Sequence, residues 1–393
     1  MTSEHGLLVV GGGIGGMAAA LALARSGQPV RVIERASALT EVGAGVQLGP
    51  NVTRLLQAWG LGPALDAVAC RPRQLQARDA ASGRVLATRA LGEAVLAQYG
   101  APYVGIHRAD LLDLLARAVQ AAGVPVQLGA ALDSARDAGD AVHWQAGAAA
   151  GQAALLVGAD GLWSRSRALL GLHDAPRFAG HLAWRATVPA DVAQACLPGA
   201  LQQVTVWMGP RLHVVHYPVR GARLLNVVAI MAGPMPADPQ DWDGQAQAPA
   251  LLRERLDPGL RALLDGAPAW RLWALHDRTP LQSAAQMARG RVALLGDAAH
   301  PMRPYLAQGA GMAIEDAQAL AQALQRHGAT PTALSAYAQA RWARNARVQA
   351  RALRQGQIYH AQGPVAWARN SAMRLAGARL MDLRWLYAGG PSV

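Results

Sequence analysis

No lysine occurs in this chain, and its 393 residues include one phenylalanine and two cysteines. All 37 basic side chains are therefore arginines, set against 25 acidic ones for a net charge of +12. With alanine abundant as well, this is the drift of GC-rich coding, and it also helps to draw anionic ligands. It does not mark a nucleic-acid module, because no arginine cluster is interleaved with aromatics. Cys70 and Cys196 stand far apart and outside any Cys-x-x-Cys pair. That excludes a disulfide framework, a redox dithiol and a cysteine-based zinc site, and no metal is expected. Sparse cysteine fits a reducing, cytoplasmic setting. Uninterrupted apolar runs of membrane-spanning length are lacking, so no integral membrane segment is expected. Gly6–Ala24 comes nearest, but Gly11, Gly12, Gly13, Gly15 and Gly16 break it, and Glu4 sits where a signal peptide is basic.

What is present is a well-packed chain, 52% hydrophobic and 16% charged, long enough for two domains. Leu7–Val10 and Val30–Ile33 read as buried strands on either side of a helix from Ile14 to Ser26, stopped by Gly27. The leucine spacing of His107–Ala122 predicts a helix, and Leu155–Ala159 predicts another buried strand. From Leu182 to Met231 the texture changes to four strand-like runs separated by short turns, which predicts an antiparallel meander. Residues 234–248, rich in proline and aspartate, predict a loop, and the strand–helix pattern resumes at Arg291. Leu334–Arg354 and Trp367–Tyr387 predict a helical tail. The stripe Arg341, Arg344, Arg347, Arg351 and Arg354 is expected to form a solvated helix face.

The chemistry concentrates in a few places. Gly11, Gly13 and Gly16 form a Gly-x-Gly-x-x-Gly turn between a strand and the helix opened by Ile14. The turn lets a pyrophosphate approach the backbone at the helix start. Glu34, followed by Arg35, ends the next strand, where a carboxylate can take both hydroxyls of an unphosphorylated ribose. Arg108 opens a helix, Asp160-Gly161 ends a strand with Ser164 and Arg167 behind it, and Gly296-Asp297 ends another. A Pro-rich loop then leads to Gly309, Ala310 and Gly311 at a second helix start, which favours negative charge beside it.

Taken in order, the dinucleotide fingerprint with Glu34, the Asp160-Gly161 pair and the Gly296-Asp297 pair resemble the single-component flavoprotein aromatic hydroxylases, the p-hydroxybenzoate hydroxylase superfamily. Within it the chain looks most like the salicylate and 3-hydroxybenzoate hydroxylases, through Gly43–Asn51, His216–Val219, Ala307–Met312 and Glu315-Asp316. The resemblance implies an α/β fold: a Rossmann-like FAD-binding domain of glutathione-reductase type, interrupted by an antiparallel β-sheet substrate domain and ending in a helical tail. The expected division is 1–72, 100–177 and 277–330 for FAD binding, 73–99 and 178–276 for the substrate sheet, and 331–393 for the tail. It further implies that non-covalent FAD is held by Glu34 at its adenosine ribose and by Arg108 and Asp297 along its ribityl-pyrophosphate. Asp160 would serve both FAD and the passing nicotinamide cofactor. NADH or NADPH and O2 would be co-substrates, and a small phenolic or hydroxylated heteroaromatic acid would be hydroxylated through a C4a-hydroperoxyflavin.

A base near the substrate hydroxyl would speed that step, because phenolate is the better nucleophile. Strand alternation puts His213, Val215 and Tyr217 on one face and His216 on the other. The family's substrate strand carries a His and a Tyr spaced like His213 and Tyr217, which makes these two the expected catalytic pair. His216 is expected to be structural and His300 to stabilise its loop. Gln47 stands where some relatives acting on hydroxypyridine acids have His. Pro304 stands where some 3-hydroxybenzoate enzymes carry a polar residue. With Val215, these are the expected substrate neighbours. Arg185, Arg211, Arg223 and Arg303 qualify by charge as carboxylate partners. Two rival readings are the same flavin chemistry on a hydrophobic quinone precursor or polyketide, and a non-catalytic FAD-fold binding protein.

Overall fold

The computed structural model describes residues 6–39, 45–236, 245–246 and 256–393. Glu4, Gly43, Ala44 and the parts 237–244 and 247–248 of the expected loop lie outside the described residues. A six-stranded sheet runs in the order Ala288–Arg289, Val292–Leu294, Leu155–Gly158, Leu7–Val10, Val30–Ile33, Val126–Gln127. It is parallel apart from the antiparallel edge strand Ala288–Arg289. Every residue of Leu7–Val10 is buried, as a parallel strand covered by helices on both faces must be. The helix Ile14–Arg25 packs against Arg108–Ala121 and Gly309–His327.

The glycine turn is what lets this first helix sit so close to its strand. Gly11 adopts φ +111°, and a Cβ there would lie 2.4 Å from the carbonyl oxygen of Ala159. A Cβ on Gly16 would lie 1.8 Å from the carbonyl oxygen of Gly11. Gly16→Ala is therefore expected to push the helix off its strand and, if the turn holds the FAD that the resemblance implies, to give protein purified without it, read as loss of visible absorbance relative to protein absorbance.

The second sheet has eight strands, ordered Gln245–Ala246, Trp270–Asp277, Arg177–Pro189, Leu224–Ala232, Leu212–Val219, Gln203–Gly209, Gln74–Asp79, Val85–Ala90. The expected simple meander is corrected here. Gln203–Gly209, Leu212–Val219 and Leu224–Ala232 are successive antiparallel neighbours, but Arg177–Pro189 pairs with Leu224–Ala232 rather than with Gln203–Gly209. The helix Ala190–Cys196 follows that strand and the chain crosses to the far side before Gln203. Gln203–Gly209 then pairs in parallel with Gln74–Asp79. A turn at Arg220, Gly221 and Ala222, all with φ between 54° and 63°, reverses the chain between two of the strands.

A two-stranded ribbon, Gly45–Leu48 with Val104–His107, bridges the two sheets. The Gly45 N–H donates to Asn226 Oδ1 at 2.7 Å, and a Cβ on Gly105 would touch the carbonyl of Pro218 at 2.7 Å. The tail comprises Pro331–Tyr359, Gly363–Leu380 and Arg384–Tyr387, and the middle helix is interrupted at Ala376.

The arginine stripe on the first tail helix is a second correction. Arg341 is 2% exposed and reaches Asp316 and Glu315 at 2.8 Å each, and Arg344 reaches the same Glu315 at 2.7 Å. Only the later members of the stripe face outward, with Arg347 over the Trp385 ring at 4.1 Å. The buried carboxylates pull the first two arginines inward.

Candidate active site

The turn Gly11–Gly16 leaves the first helix open at its start. Gly13 is the cap, and no heavy atom lies within 4 Å of where its Cβ would be. Free N–H groups and an unobstructed approach suit a pyrophosphate. Glu34 leaves the second strand beside the turn and accepts from the N–H of Gly12 and of Ala36, and Arg35 next to it is exposed. Ile14 is buried beneath the turn. Asp160 works within its own loop, accepting from Ser164 Oγ at 2.6 Å and from the N–H of Arg165 and Ser166 at 2.8 and 3.0 Å. Arg167, buried behind it, pairs with Asp174 at 2.6 Å and donates to the carbonyl of Ala298 at 2.9 Å. This stitches the Asp160-Gly161 loop to the Gly296-Asp297 loop. Asp297 itself is exposed and, with Arg108, Gly309 and Ala310, borders the cavity between this loop and the eight-stranded sheet.

The second helix start is shaped from below. Gln308 caps it, is 3% exposed, and meets Asn51 Nδ2 through its Oε1 at 3.2 Å. A Cβ on Gly311 would meet Val52 Cγ2 at 2.9 Å and that same Gln308 oxygen at 3.0 Å. His300 pairs with buried Asp316 at 2.5 Å and so braces the loop, while its Nδ1 has no protein partner.

Between this loop and the eight-stranded sheet lies a cavity of about 300 Å³. The sheet contributes His213, Val215 and Tyr217 from one face of a strand and Val206 and Met208 from the next. His216 points the other way, beside Trp207; neither of its ring nitrogens has a protein partner, and burial, aided by Arg78, lowers its pKa to about 3. Burial also holds His213 well below the ordinary histidine range, with His360 and His181 adding to the effect. Tyr217 is held above its ordinary range by burial, against the opposing pull of Arg185 and Gln47. Gln47 also accepts from the Tyr103 hydroxyl at 2.5 Å.

Of the four arginines considered for a carboxylate, Arg185 and Arg303 border the cavity, and Arg211 and Arg223 do not. Arg185 lies over the Trp273 ring at 3.0 Å, and Arg303 is paired with Asp277 at 2.7 Å. Pro304 is part of the loop wall. Reading the sequence missed Tyr103, Trp273 and the tail residues Tyr359, Met373, Met381 and Tyr387, all of which line the cavity. It also missed His360, whose Nε2 lies 2.7 Å from His213 Nδ1. No local pattern marks these positions, since it is the fold that brings them beside the His213–Tyr217 strand.

The sequence matches the family described as FAD binding domain over residues 4–352. 3-Hydroxybenzoate 6-hydroxylase of Polaromonas naphthalenivorans strain CJ2 is 37% identical over 391 residues, 97% of this chain and 95% of that one. The chain belongs to the FAD-dependent aromatic hydroxylases. Solved structures agree with that placement. A salicylate hydroxylase substrate complex gives a TM-score of 0.81 at 27% identity, covering 100% of this chain and 99% of the other. A single-substitution variant of Klebsiella pneumoniae HpxO complexed with FAD gives 0.86 at 26%, covering 99% and 100%. This hydroxylase binds FAD, and the open Gly13, the carboxylate of Glu34 and the two helix starts fit that cofactor. Its family match stops at residue 352, yet part of its cavity wall comes from beyond it. Among the described residues no helix is long and apolar enough to cross a membrane, and no cluster of ligating side chains could hold a metal ion.

Proposed function

We propose that this hydroxylase uses NADH or NADPH and O2 to hydroxylate a small phenolic acid of the hydroxybenzoate class, in the reducing compartment suggested by its two unpaired cysteines. The observation that carries the reading is one cavity bordered by the flavin-facing loop, by the guanidinium of Arg185 and by the His213–Tyr217 strand face. Bound flavin, once reduced, supplies the activated oxygen. The protein's own residues do the rest. Glu34 would hold the adenosine ribose of bound FAD and Arg108 and Asp297 its ribityl-pyrophosphate, and the backbone N–H groups at Gly309–Gly311 would stabilise negative charge on it. Arg185 pairs with the substrate carboxylate. His213, uncharged at neutral pH because burial disfavours its cation, accepts the phenolic proton. Tyr217, kept protonated, donates to the substrate oxygen. Pro304, Val215 and Gln47 border the ring. The tail residues Tyr359 and Tyr387 and the methionines beside them keep water out.

The test is a screen of hydroxybenzoates that follows NADH oxidation together with peroxide release. A substrate accelerates oxidation and suppresses peroxide, and failure of every aromatic acid to do both refutes the reading. Arg185→Gln is expected to raise KM for the acid about 10–100-fold, the worth of a charged hydrogen bond. The corresponding phenol without a carboxylate is expected to bind equally to both forms. An equal loss for acid and phenol would place the carboxylate elsewhere.

A further inference from the structure

We propose that His360 is the second station of a proton path that carries the phenolic proton from His213 to solvent. The proposal rests on the reading above that His213 accepts that proton. His213 is 1% exposed, so a proton received there has no direct way to water. Its Nδ1 lies 2.7 Å from His360 Nε2, and His360, just past the end of the helix Pro331–Tyr359, is partly exposed. Two ring nitrogens at that separation hold one hydrogen between them. With Nδ1 donating to His360, Nε2 of His213 is the unprotonated nitrogen left for a substrate hydroxyl. Taken in that direction, the bond leaves His213 in the tautomer that a base requires.

The step balances without an added reactant. The phenolic O–H bond breaks and its proton forms an N–H bond at His213 Nε2. The Nδ1 proton of His213 moves to His360 Nε2, and His360 releases its own Nδ1 proton to water. The phenolate stays in the cavity. The reverse sequence returns a proton to the product hydroxyl and restores both tautomers.

The surroundings keep the pair conducting rather than charged. Tyr305 faces it from the flavin loop, His181 from Arg177–Pro189, Tyr359 from its own helix end and Arg369 from the next helix, with Arg303 and Arg211 acting on His181 behind it. Of these Arg369 is a cation beside His360, while Arg303 is offset by Asp277 at 2.7 Å. Burial, with His181 and Arg369 adding to it, lowers the His360 pKa to about 4, so near neutral pH neither ring retains the proton. Position is fixed as well. Arg369 donates to the carbonyls of Ile358 and Tyr359 at 2.9 Å each, and the His360 carbonyl accepts from the Arg211 N–H at 3.2 Å.

The experiment mixes FAD-loaded enzyme with 3-hydroxybenzoate or salicylate in weak buffer and follows proton release with an indicator dye in a stopped-flow instrument. His360→Gln and His360→Ala are expected to slow release at least about tenfold. FAD content and the rate of flavin reduction report whether each variant is folded. Imidazole in the buffer is expected to rescue His360→Ala. If both His360 variants release protons at the wild-type rate while His213→Gln does not, the relay is wrong and the base stands. If His213→Gln also releases at the wild-type rate, the base itself is wrong. Should the His360 variants lose FAD, the wild-type rate in mixed light and heavy water decides. A bowed dependence on deuterium content means two protons in flight, and a straight one overturns the relay.

Discussion

Arg341→Ala is expected to cost the folded protein about 3–5 kcal/mol, the usual cost of leaving buried carboxylates without their cation. Arg341 donates to Asp316 Oδ1 and Glu315 Oε2 at 2.8 Å each and to Asn345 Oδ1 at 3.0 Å, with both carboxylates fully buried. Asp316 in turn accepts from the Gly296 N–H at 3.2 Å and pairs with His300. Glu315 accepts from Asn51 Nδ2 at 2.8 Å, and Asn51 also meets the capping Gln308. Removing one guanidinium therefore loosens both the Gly296-Asp297 loop and the start of the helix Gly309–His327. Urea unfolding with FAD bound checks the size of the loss. A loss no larger than that of Arg344→Ala, whose side chain is 17% exposed, would show that the network tolerates the vacancy.

The same network sets an acid limit. Burial pushes the Asp316 carboxyl upward, but His300 and Arg341 outweigh it and hold the group below the ordinary carboxylate range. The stabilisation from Asp316 is therefore complete above about pH 4, the unfolded value, and is lost as pH falls through the lower folded value. In Arg341→Ala that protection is weaker. The deficit relative to wild type is expected to be largest at neutral pH and to narrow as Asp316 takes up its proton.

His213→Ala is expected to slow substrate hydroxylation about 10²–10⁴-fold, the range for loss of a positioned base. NADH consumption is expected to continue with its electrons diverted to peroxide. His213 lies on the sheet side of the cavity, 5.4 Å from the Tyr305 ring, whereas the glycine turn and Glu34 belong to the nucleotide-binding sheet. The rate of flavin reduction is therefore the internal control. Single-turnover kinetics with separate reductive and oxidative phases makes the comparison, and product yield per NADH at the wild-type value would sink the assignment.

Much of the nucleotide half was legible because its signals are local. The strand Leu7–Val10, the glycine turn and Glu34 sit within 28 residues, and each is specified by its neighbours in sequence. The face shared by His213, Val215 and Tyr217 was legible for the same reason, since alternation along a strand needs no partner. What escaped depends on pairing across distance. Strand order cannot be read from strands that are equally apolar, so the parallel contact of Gln74–Asp79 with Gln203–Gly209 was invisible. Arg341 shares the spacing of its exposed neighbours, and only Glu315 and Asp316, 26 and 25 residues earlier, pull it inside. His360 is separated from His213 by 147 residues and belongs to no motif.

The tail closes the cavity with Tyr359, Met373, Met381 and Tyr387, and all four follow the last residue of the family match. The wall that meets the guest molecule is thus made after the nucleotide-binding parts have left the ribosome. A nascent chain can assemble the glycine turn and the sheet early, but it acquires an enclosed reaction chamber only once Tyr359, Met373, Met381 and Tyr387 have emerged. An interrupted translation product would hold the parts that handle electrons without the part that confines their use.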